Sequence, residues 1–191
     1  MSLMDLKCQE SIYITEECCY NDNDAERLLL GKDYHRRYLV YLFFDLPPYA
    51  YIRSLKEARI ILFKLPQVKQ NDINLKKQCV RYSVGALLNF FSIYSCNCSP
   101  TFIDSNQIVT FQDEYCCSYT EIDITHIVKT WIEEKIENKG VLLYGNENAP
   151  LIIYASNRYK IQGMQPRLRL IYEDQCVCKP LSSVPCTIIV K

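Results

Sequence analysis

Short apolar segments separated by polar turns run along most of this chain. Most of the segments are four to nine residues long, and they are rich in β-branched and aromatic residues, the pattern of pleated strands. Strands are predicted at 12–14, 27–31, 38–46, 57–63, 79–88, 108–111, 121–124, 141–144, 151–154 and 168–172. Many short strands joined by turns are typical of a β-sandwich or barrel.

Two of these segments distribute their apolar residues differently. Segment 38–46 is nearly all apolar, as expected for a central strand covered on both faces, and the prolines that follow end it. Segment 57–63 alternates instead, with Ala58, Ile60 and Leu62 on one face. We therefore expect the first segment to lie inside a sheet and the second to bury one face.

The period of the pattern changes from two to helical spacing after residue 124. The apolar positions at that spacing are Ile127, Val128, Trp131 and Ile132. Thr125 is the expected N-cap, and Trp131 is expected to pack in the core. The predicted fold is therefore an all-β, antiparallel β-sandwich of jelly-roll-like type with one short α-helix near residues 125–136.

Composition narrows the class of protein. The chain has 191 residues, 49% of them apolar, which is enough to fill the core of a single domain. Lys and Arg total 22 and so do Asp and Glu, and this zero net charge argues against a nucleic-acid binder. No apolar run approaches 18 residues, so no membrane span is expected. The first residues lack the basic and apolar regions of a signal peptide.

The order of several segments resembles the DNRLRE domains, the disaggregatase-related β-sandwich modules of bacterial and archaeal surface proteins. The front half carries Leu28-Leu29-Leu30-Gly31, the strand 38–46 with Asp45 near its end, and Ala58-Arg59-Ile60-Ile61-Leu62. The back half carries Ile122-Asp123-Ile124-Thr125 with Val128 and Trp131, then Gly140-Val141-Leu142-Leu143 and Pro166-Arg167-Leu168. The resemblance covers about residues 10 to 174.

The resemblance implies a non-catalytic jelly-roll-like module, because some members of that family bind polysaccharide and others are spacers. The chain departs from the family in the middle, where Cys96-Asn97-Cys98-Ser99-Pro100 replaces a Trp-Asn-Asn-x-Pro-like loop. If that Trp stacks on sugar rings in relatives, this chain lacks it.

The same comparison divides the chain into three parts. Residues 1–9 form an N-terminal extension, and the second methionine, Met4, suggests that the first three residues were added for expression. Residues 10–174 form the β-sandwich. Residues 175–191 carry three cysteines and form either a tail or the start of a following region.

Eleven cysteines are the most unusual compositional feature. Cys18-Cys19 and Cys116-Cys117 are adjacent pairs, and no pair has the two to four intervening residues usual in structural zinc sites. Neighbours on a strand point to opposite faces, so an adjacent pair is expected to place one thiol inside and one outside. Reduced, buried cysteines are one interpretation, since no signal peptide is expected. Cross-linking in an oxidised spore coat or exosporium layer, through Cys18, Cys19, Cys116 and Cys117, is the other.

Acidic loops are the candidates for calcium binding. Asp22 and Asp24 lie in Asn21-Asp22-Asn23-Asp24, which offers the oxygen ligands that calcium favours, although it lacks the glycine and terminal glutamate of an EF-hand. Asp113 and Glu114 form a second small acidic spot. A solvated turn without a bound ion is the alternative interpretation of both acidic loops. No cofactor other than calcium is expected.

Loop tyrosines are the candidate sugar-stacking residues. With Trp131 assigned to the core, exposed aromatic rings must come mainly from the 15 tyrosines. Those nearest predicted loops are Tyr34, Tyr49, Tyr51 and Tyr115.

Catalytic motifs are absent from the sequence, so an enzyme is not expected. The two histidines, His35 and His126, lie in a turn and in the first helical turn, and no Gly-x-Ser-x-Gly elbow occurs. A hydrolase would need two facing carboxylates, for which Asp45 and Asp123 are the candidates, although each could instead close a strand or orient a turn.

The sequence therefore predicts a non-catalytic module of a bacterial cell-surface or spore-surface protein that binds carbohydrate or mediates adhesion. The expected partners are polysaccharide or other surface or coat proteins, with no nucleic acid. A purely structural, cross-linkable coat component, produced in the mother cell without secretion, is the alternative.

Overall fold

Ten antiparallel strands and one α-helix make up the part of the chain that the structure describes. The computed structural model describes residues 1–15, 26–34, 36–48, 54–66, 80–91, 103–114 and 116–173. The strands are β1 (Ser2–Thr15), β2 (Arg27–Lys32), β3 (Arg37–Phe44), β4 (Leu55–Phe63), β5 (Tyr82–Leu87), β6 (Ile103–Phe111), β7 (Tyr119–Asp123), β8 (Val141–Gly145), β9 (Ile152–Ala155) and β10 (Arg167–Tyr172). The helix, α1, spans Thr125–Ile132, and a short 3₁₀ turn spans Gln162–Met164.

Strand β1 joins the two layers of the sandwich. Its first half, Ser2 to Lys7, pairs with β10, and its second half, Cys8 to Thr15, pairs with β3, with a bulge between Cys8 and Glu10. A bulge increases the local bend and twist of a strand, so one strand can serve both layers. The first sheet has the order β1-β10-β4-β7, and the second has the order β1-β3-β8-β5-β6, with β2 bonded to β3 and β9. The all-β antiparallel sandwich predicted from the sequence is confirmed.

The apolar face of each sheet packs into one common core. On β4, Ala58, Ile60 and Leu62 are fully buried, which confirms the predicted alternation. They join Leu168 and Leu170 of β10 in a cluster that also takes in the inward residues of the second sheet. Alternating strands in two layers thus bury one face each, which supplies the main stabilisation of the fold.

Strand β3 is covered on both faces, as its nearly continuous apolar sequence predicts. Val40 and Leu42 point into the common core. On the opposite face Tyr41 packs in a second, smaller cluster with Leu87 and Leu142. A strand in this position must bury both sets of side chains, so it cannot alternate in polarity.

Helix α1 follows β7 directly and covers one end of the core. Its buried apolar residues are Ile127, Val128 and Trp131, so the predicted core position of the tryptophan is confirmed. The helix ends at Ile132, four residues before the predicted end, because the chain turns through a left-handed residue at Glu134, where φ is 56°. Within the described residues no helix has the length and apolar character needed to cross a membrane.

The predicted N-cap of α1 is wrong. The N-cap position is Ile124, and Thr125 is the first helical residue. The Thr125 hydroxyl accepts a hydrogen bond from the backbone N–H of Ala58, at 2.9 Å. It donates to the carboxylate of Asp123 at 2.6 Å, and that carboxylate also accepts from the Thr125 backbone N–H at 2.9 Å. Thr125 therefore ties the helix to β4, and Asp123 satisfies the helix start.

Candidate functional site

The outer face of the first sheet carries a row of charged residues. Asp5, Arg169, Arg59 and Asp123 are cross-strand neighbours on four successive strands. The Arg169 guanidinium donates two hydrogen bonds to the Asp5 carboxylate, at 2.8 and 2.9 Å, which holds the pKa of Asp5 below its ordinary value. Arg59 lies 3.1 Å from the carboxylate of Glu121. These paired side chains are held in fixed positions at the surface.

Two aromatic rings end this face beside the turn between β6 and β7. Phe63 and Tyr119 are cross-strand partners, with ring centroids 6.0 Å apart. The guanidinium of Arg167 lies 5.0 Å from the centroid of the Phe63 ring. Tyr119 is 43% exposed, so part of its side chain is accessible to a ligand.

The turn between β6 and β7, described at residues 112–114 and 116–118, brings together two thiols and a carboxylate. The backbone N–H of Cys117 donates to the Glu114 carbonyl at 3.1 Å, which closes the turn. The Cys117 thiol donates to the Glu114 carboxylate at 3.3 Å, and the sulfur atoms of Cys116 and Cys117 are 4.0 Å apart. The expected division of an adjacent pair between core and surface is wrong here, because Cys116 is exposed and Cys117 half-buried in a turn rather than on a strand.

Lys64 anchors this turn from the end of β4. Its ammonium group lies 2.7 Å from the Asp113 carboxylate and donates to the Glu114 carbonyl at 2.5 Å. Its backbone N–H donates to the Ser118 carbonyl at 2.9 Å. Asp113 also accepts a hydrogen bond from the Thr120 hydroxyl at 2.6 Å. The thiol turn is therefore tied to both neighbouring strands by side-chain and backbone bonds.

Two clefts meet at Cys117. One has a volume of about 260 Å³ and is lined by Gln112, Glu114, Cys117, Tyr119, Thr120 and Glu121. The other has a volume of about 390 Å³ and is lined by Lys64, Leu65, Pro66, Asp113, Cys117 and the segment 151–153. A concave surface with an aromatic ring and a few polar groups is the usual form of a small-ligand site.

The carboxylate of Glu114 raises the pKa of Cys117 to about 11, chiefly through the hydrogen bond that it accepts, and Cys116 contributes in the same direction. A carboxylate beside a thiol disfavours the thiolate. Cys117 is therefore a protonated thiol at neutral pH, although it is accessible.

The calcium and tyrosine candidates from the sequence fall mostly outside the described residues. Tyr34 is described and 74% exposed, on the turn between β2 and β3 where Asp33 accepts a hydrogen bond from the Arg36 N–H at 2.8 Å. The sequence-predicted residues outside the described ranges are Cys18, Cys19, Asp22, Asp24, His35, Tyr49, Tyr51 and Tyr115. Of the cross-linking candidates, Cys116 and Cys117 are described, and both are free thiols.

The two carboxylates considered for a hydrolase have different surroundings. Asp45 is exposed directly after β3. Asp123 accepts both hydrogen bonds from Thr125, so it orients the start of the helix as the sequence allowed. His126 and Lys129 line a surface depression beside Asp123.

Sequence reasoning missed Lys64, Phe63 and Tyr119 as members of a site. The alternation in 57–63 does place Phe63 on the outer face, opposite Ile60 and Leu62, and this signal was available. The pairing of Lys64 with Asp113 joins residues far apart in the chain, so it cannot be predicted from a short sequence pattern.

No protein-family model matches this chain, and no curated protein matches it either.

Proposed function

We propose that this chain is a non-catalytic β-sandwich module that binds polysaccharide, as part of a bacterial surface or spore-associated protein. The observation that carries the proposal is the partly exposed Tyr119 side chain, which lines a cleft of about 260 Å³ at the charged outer face of the first sheet. An aromatic ring next to ordered polar groups can hold a sugar, because the ring covers its apolar C–H face while the polar groups bond its hydroxyls.

The polar groups around Tyr119 suit hydroxyl recognition. Gln112 offers both a donor and an acceptor, and Glu121 offers acceptors at the cleft wall. Arg59 already holds Glu121 in place at 3.1 Å, so the carboxylate is oriented before a ligand arrives. Preorganised groups lose less entropy on binding, which favours affinity in a shallow site.

The test is a binding screen of the purified protein against a broad polysaccharide panel, with calcium and with chelator. Wild type is compared with Tyr119→Ala and with Phe90→Ala, a control whose side chain is 59% exposed after β5 and does not line this cleft. Loss of one stacking ring is expected to weaken binding by about tenfold in Tyr119→Ala only. Binding that depends on calcium would support Asp22 and Asp24 as calcium ligands.

Two results would contradict the proposal. The first is the absence of binding to every polysaccharide in the panel, and the second is equal binding by wild type and Tyr119→Ala. Release of reducing sugar ends during a long incubation would contradict the non-catalytic part alone.

A cross-linking role in a coat layer is the second candidate function. It is favoured by the exposed Cys116 thiol beside Cys117, since an accessible thiol can form a disulfide with another chain once an oxidant is supplied. Oxidised wild type is then expected to form disulfide-linked oligomers on non-reducing gels, and the double variant Cys116→Ser/Cys117→Ser to form fewer. Oligomers of equal abundance in the two proteins would exclude this pair as the link.

A further inference from the structure

We propose that Glu114, Cys116 and Cys117 bind a divalent metal ion of the thiolate-preferring class, with Zn²⁺ as the biological example. Their ligand atoms, two sulfurs and a carboxylate oxygen, all lie within 4.8 Å of one another. This inference goes beyond polysaccharide binding and does not depend on it.

The distances fit a single ion. Two Zn–S bonds of about 2.3 Å at a tetrahedral angle place the sulfurs about 3.8 Å apart, and the sulfurs of Cys116 and Cys117 are 4.0 Å apart. A Zn–O bond of about 2.1 Å would place oxygen and sulfur about 3.6 Å apart. The Glu114 oxygen is 3.3 Å from the Cys117 sulfur, so small side-chain rotations suffice.

The spacing that argued against zinc in the sequence does not apply to this site. A structural zinc site closes four ligands around the ion, usually with cysteines two to four residues apart. Here the adjacent cysteines lie in a turn that brings their sulfurs to 4.0 Å, and the third ligand comes from Glu114 three residues before Cys117. Three protein ligands leave one position open for water or another group.

The neighbouring residues hold the backbone of the turn that carries the three ligands. Lys64 donates to the Glu114 carbonyl at 2.5 Å and is neutralised by Asp113 at 2.7 Å, so it fixes the backbone without adding net positive charge. Groups around the ligands that fix their positions are usual in metal sites. The ion would displace the two thiol protons to solvent.

Cys117 lines both clefts and Glu114 lines the smaller one, so an ion bound by these residues would be reached from the clefts. The smaller one is also lined by Glu121 and Gln112, whose oxygens can bond a metal-bound water. A fourth ligand from outside the chain, such as a sugar hydroxyl or a carboxylate, has access through the same opening. The site is therefore of the open kind rather than a closed structural centre.

The experiment is differential alkylation of the reduced full chain, with and without Zn²⁺, mapped by mass spectrometry. Mapping is necessary because eleven cysteines are present. An equimolar amount of Zn²⁺ is expected to slow alkylation of both Cys116 and Cys117 by about tenfold or more, since a metal-bound thiolate is protected. Cd²⁺ serves as a second probe, and its thiolate charge-transfer absorption is expected to appear in the ultraviolet.

Three variants make the test specific. Cys116→Ser/Cys117→Ser is expected to bind about one Zn²⁺ ion fewer than wild type. Glu114→Gln keeps both thiols and is expected to weaken their protection by about tenfold. Cys18→Ser/Cys19→Ser is the matched control, because it removes the other adjacent pair and should leave protection of Cys116 and Cys117 unchanged.

The proposal is overturned if Zn²⁺ fails to protect Cys116 and Cys117 in wild type, a result that does not depend on any variant folding. It is also overturned if Glu114→Gln protects them as well as wild type does, since the carboxylate would then not be a ligand. Loss of the bound ion in the Cys18/Cys19 variant instead would place the site elsewhere.

Discussion

The ammonium group of Lys64 lies 2.7 Å from the carboxylate of Asp113, and only 15% and 6% of the two side chains are exposed. This pair joins the end of β4 to the turn between β6 and β7. Because both charges are largely removed from water, each depends on the other for solvation. The pair therefore sets the position of the backbone that carries Glu114, Cys116 and Cys117.

Lys64→Met is expected to destabilise the protein by about 2–4 kcal/mol, because it leaves the Asp113 charge buried without its partner. The double variant Lys64→Met/Asp113→Asn removes the stranded charge and should recover about half of that loss. Urea unfolding at neutral pH measures both. Lys135→Met is the control, since its pair with Glu133 is exposed and its loss should leave the free energy of unfolding nearly unchanged. Equal losses for Lys64→Met and Lys135→Met would contradict the role of the buried pair.

Gly31 has a left-handed backbone, with φ of 102°, where β2 passes the loop before β9. A Cβ atom placed on it would approach the Pro150 carbonyl oxygen to 2.2 Å, so neither the conformation nor the space admits a side chain. Gly31→Ala is expected to lower the free energy of unfolding by about 2–4 kcal/mol. Gly163→Ala is the matched substitution, since a Cβ atom placed there would have no neighbour within 4 Å, and it should change stability by less than about 0.5 kcal/mol. A similar midpoint for the two variants would argue against strain at Gly31.

The sequence predicted correctly those strands in which the polarity of each side chain matches its burial. Ala58, Ile60 and Leu62 are apolar because they face the core, so the period of β4 is visible in the chain. In the first half of β1 the alternation of apolar and polar residues is not visible in the sequence. Leu3 is exposed while Met4 and Leu6 pack inward, so apolar residues fall on both faces.

The sequence assigns residues 1–9 to an extension because the family resemblance begins near residue 10, and no clear period indicates a strand there. The structure places Ser2 to Lys7 in a ladder with β10. Strand β6 likewise begins at Ile103, five residues before its predicted start. The polar residues Asp104, Ser105 and Asn106 suggest a loop, although Ile103 before them pairs with Leu87 of β5 across a shift in register. Edge strands of this kind carry polar residues on the solvent side, so composition alone assigns them to turns.

The candidate site could not be predicted from short sequence patterns, because it depends on contacts between residues far apart in the chain. The cysteine pair was visible, but its environment depends on Lys64, which arrives from β4 through the pairing of Phe63 with Tyr119. Such contacts follow from strand order, and strand order is a property of the whole chain. Thr125 shows the same limit on a smaller scale, because its bond to Ala58 redirects a hydroxyl that the sequence assigned to capping.

Burial raises the pKa of Cys8 to about 12, while its thiol donates to the Glu10 carbonyl at 3.0 Å. In the unfolded chain the same thiol ionises near pH 8.5. Its contribution to stability is therefore complete below about pH 8.5 and is lost as pH rises toward 12, with about 2 kcal/mol lost by pH 10.

Urea unfolding between pH 7 and pH 10 should show a smaller loss of the free energy of unfolding in Cys8→Ala than in wild type. Val40→Ala, which truncates a buried residue without a thiol, should keep the wild-type slope. Identical slopes in Cys8→Ala and wild type would contradict the assignment.

The Glu114 carboxylate keeps Cys117 protonated by raising its thiol pKa to about 11, so Glu114→Gln should lower that pKa and increase the thiolate fraction at pH 8. Only the thiolate is nucleophilic, so a larger thiolate fraction speeds alkylation. A thiolate of lower pKa is also a weaker nucleophile, which offsets part of this increase. Alkylation of Cys117 at pH 8 should therefore accelerate by about threefold to tenfold. The rate is measured by mass spectrometry with a chelator present, which separates this effect from metal binding. Glu121→Gln is the control, because Glu121 lines the same cleft while its carboxylate bonds Arg59. An unchanged Cys117 rate in Glu114→Gln, or an equal acceleration in Glu121→Gln, would show that the hydrogen bond from the thiol to Glu114 does not control its ionisation.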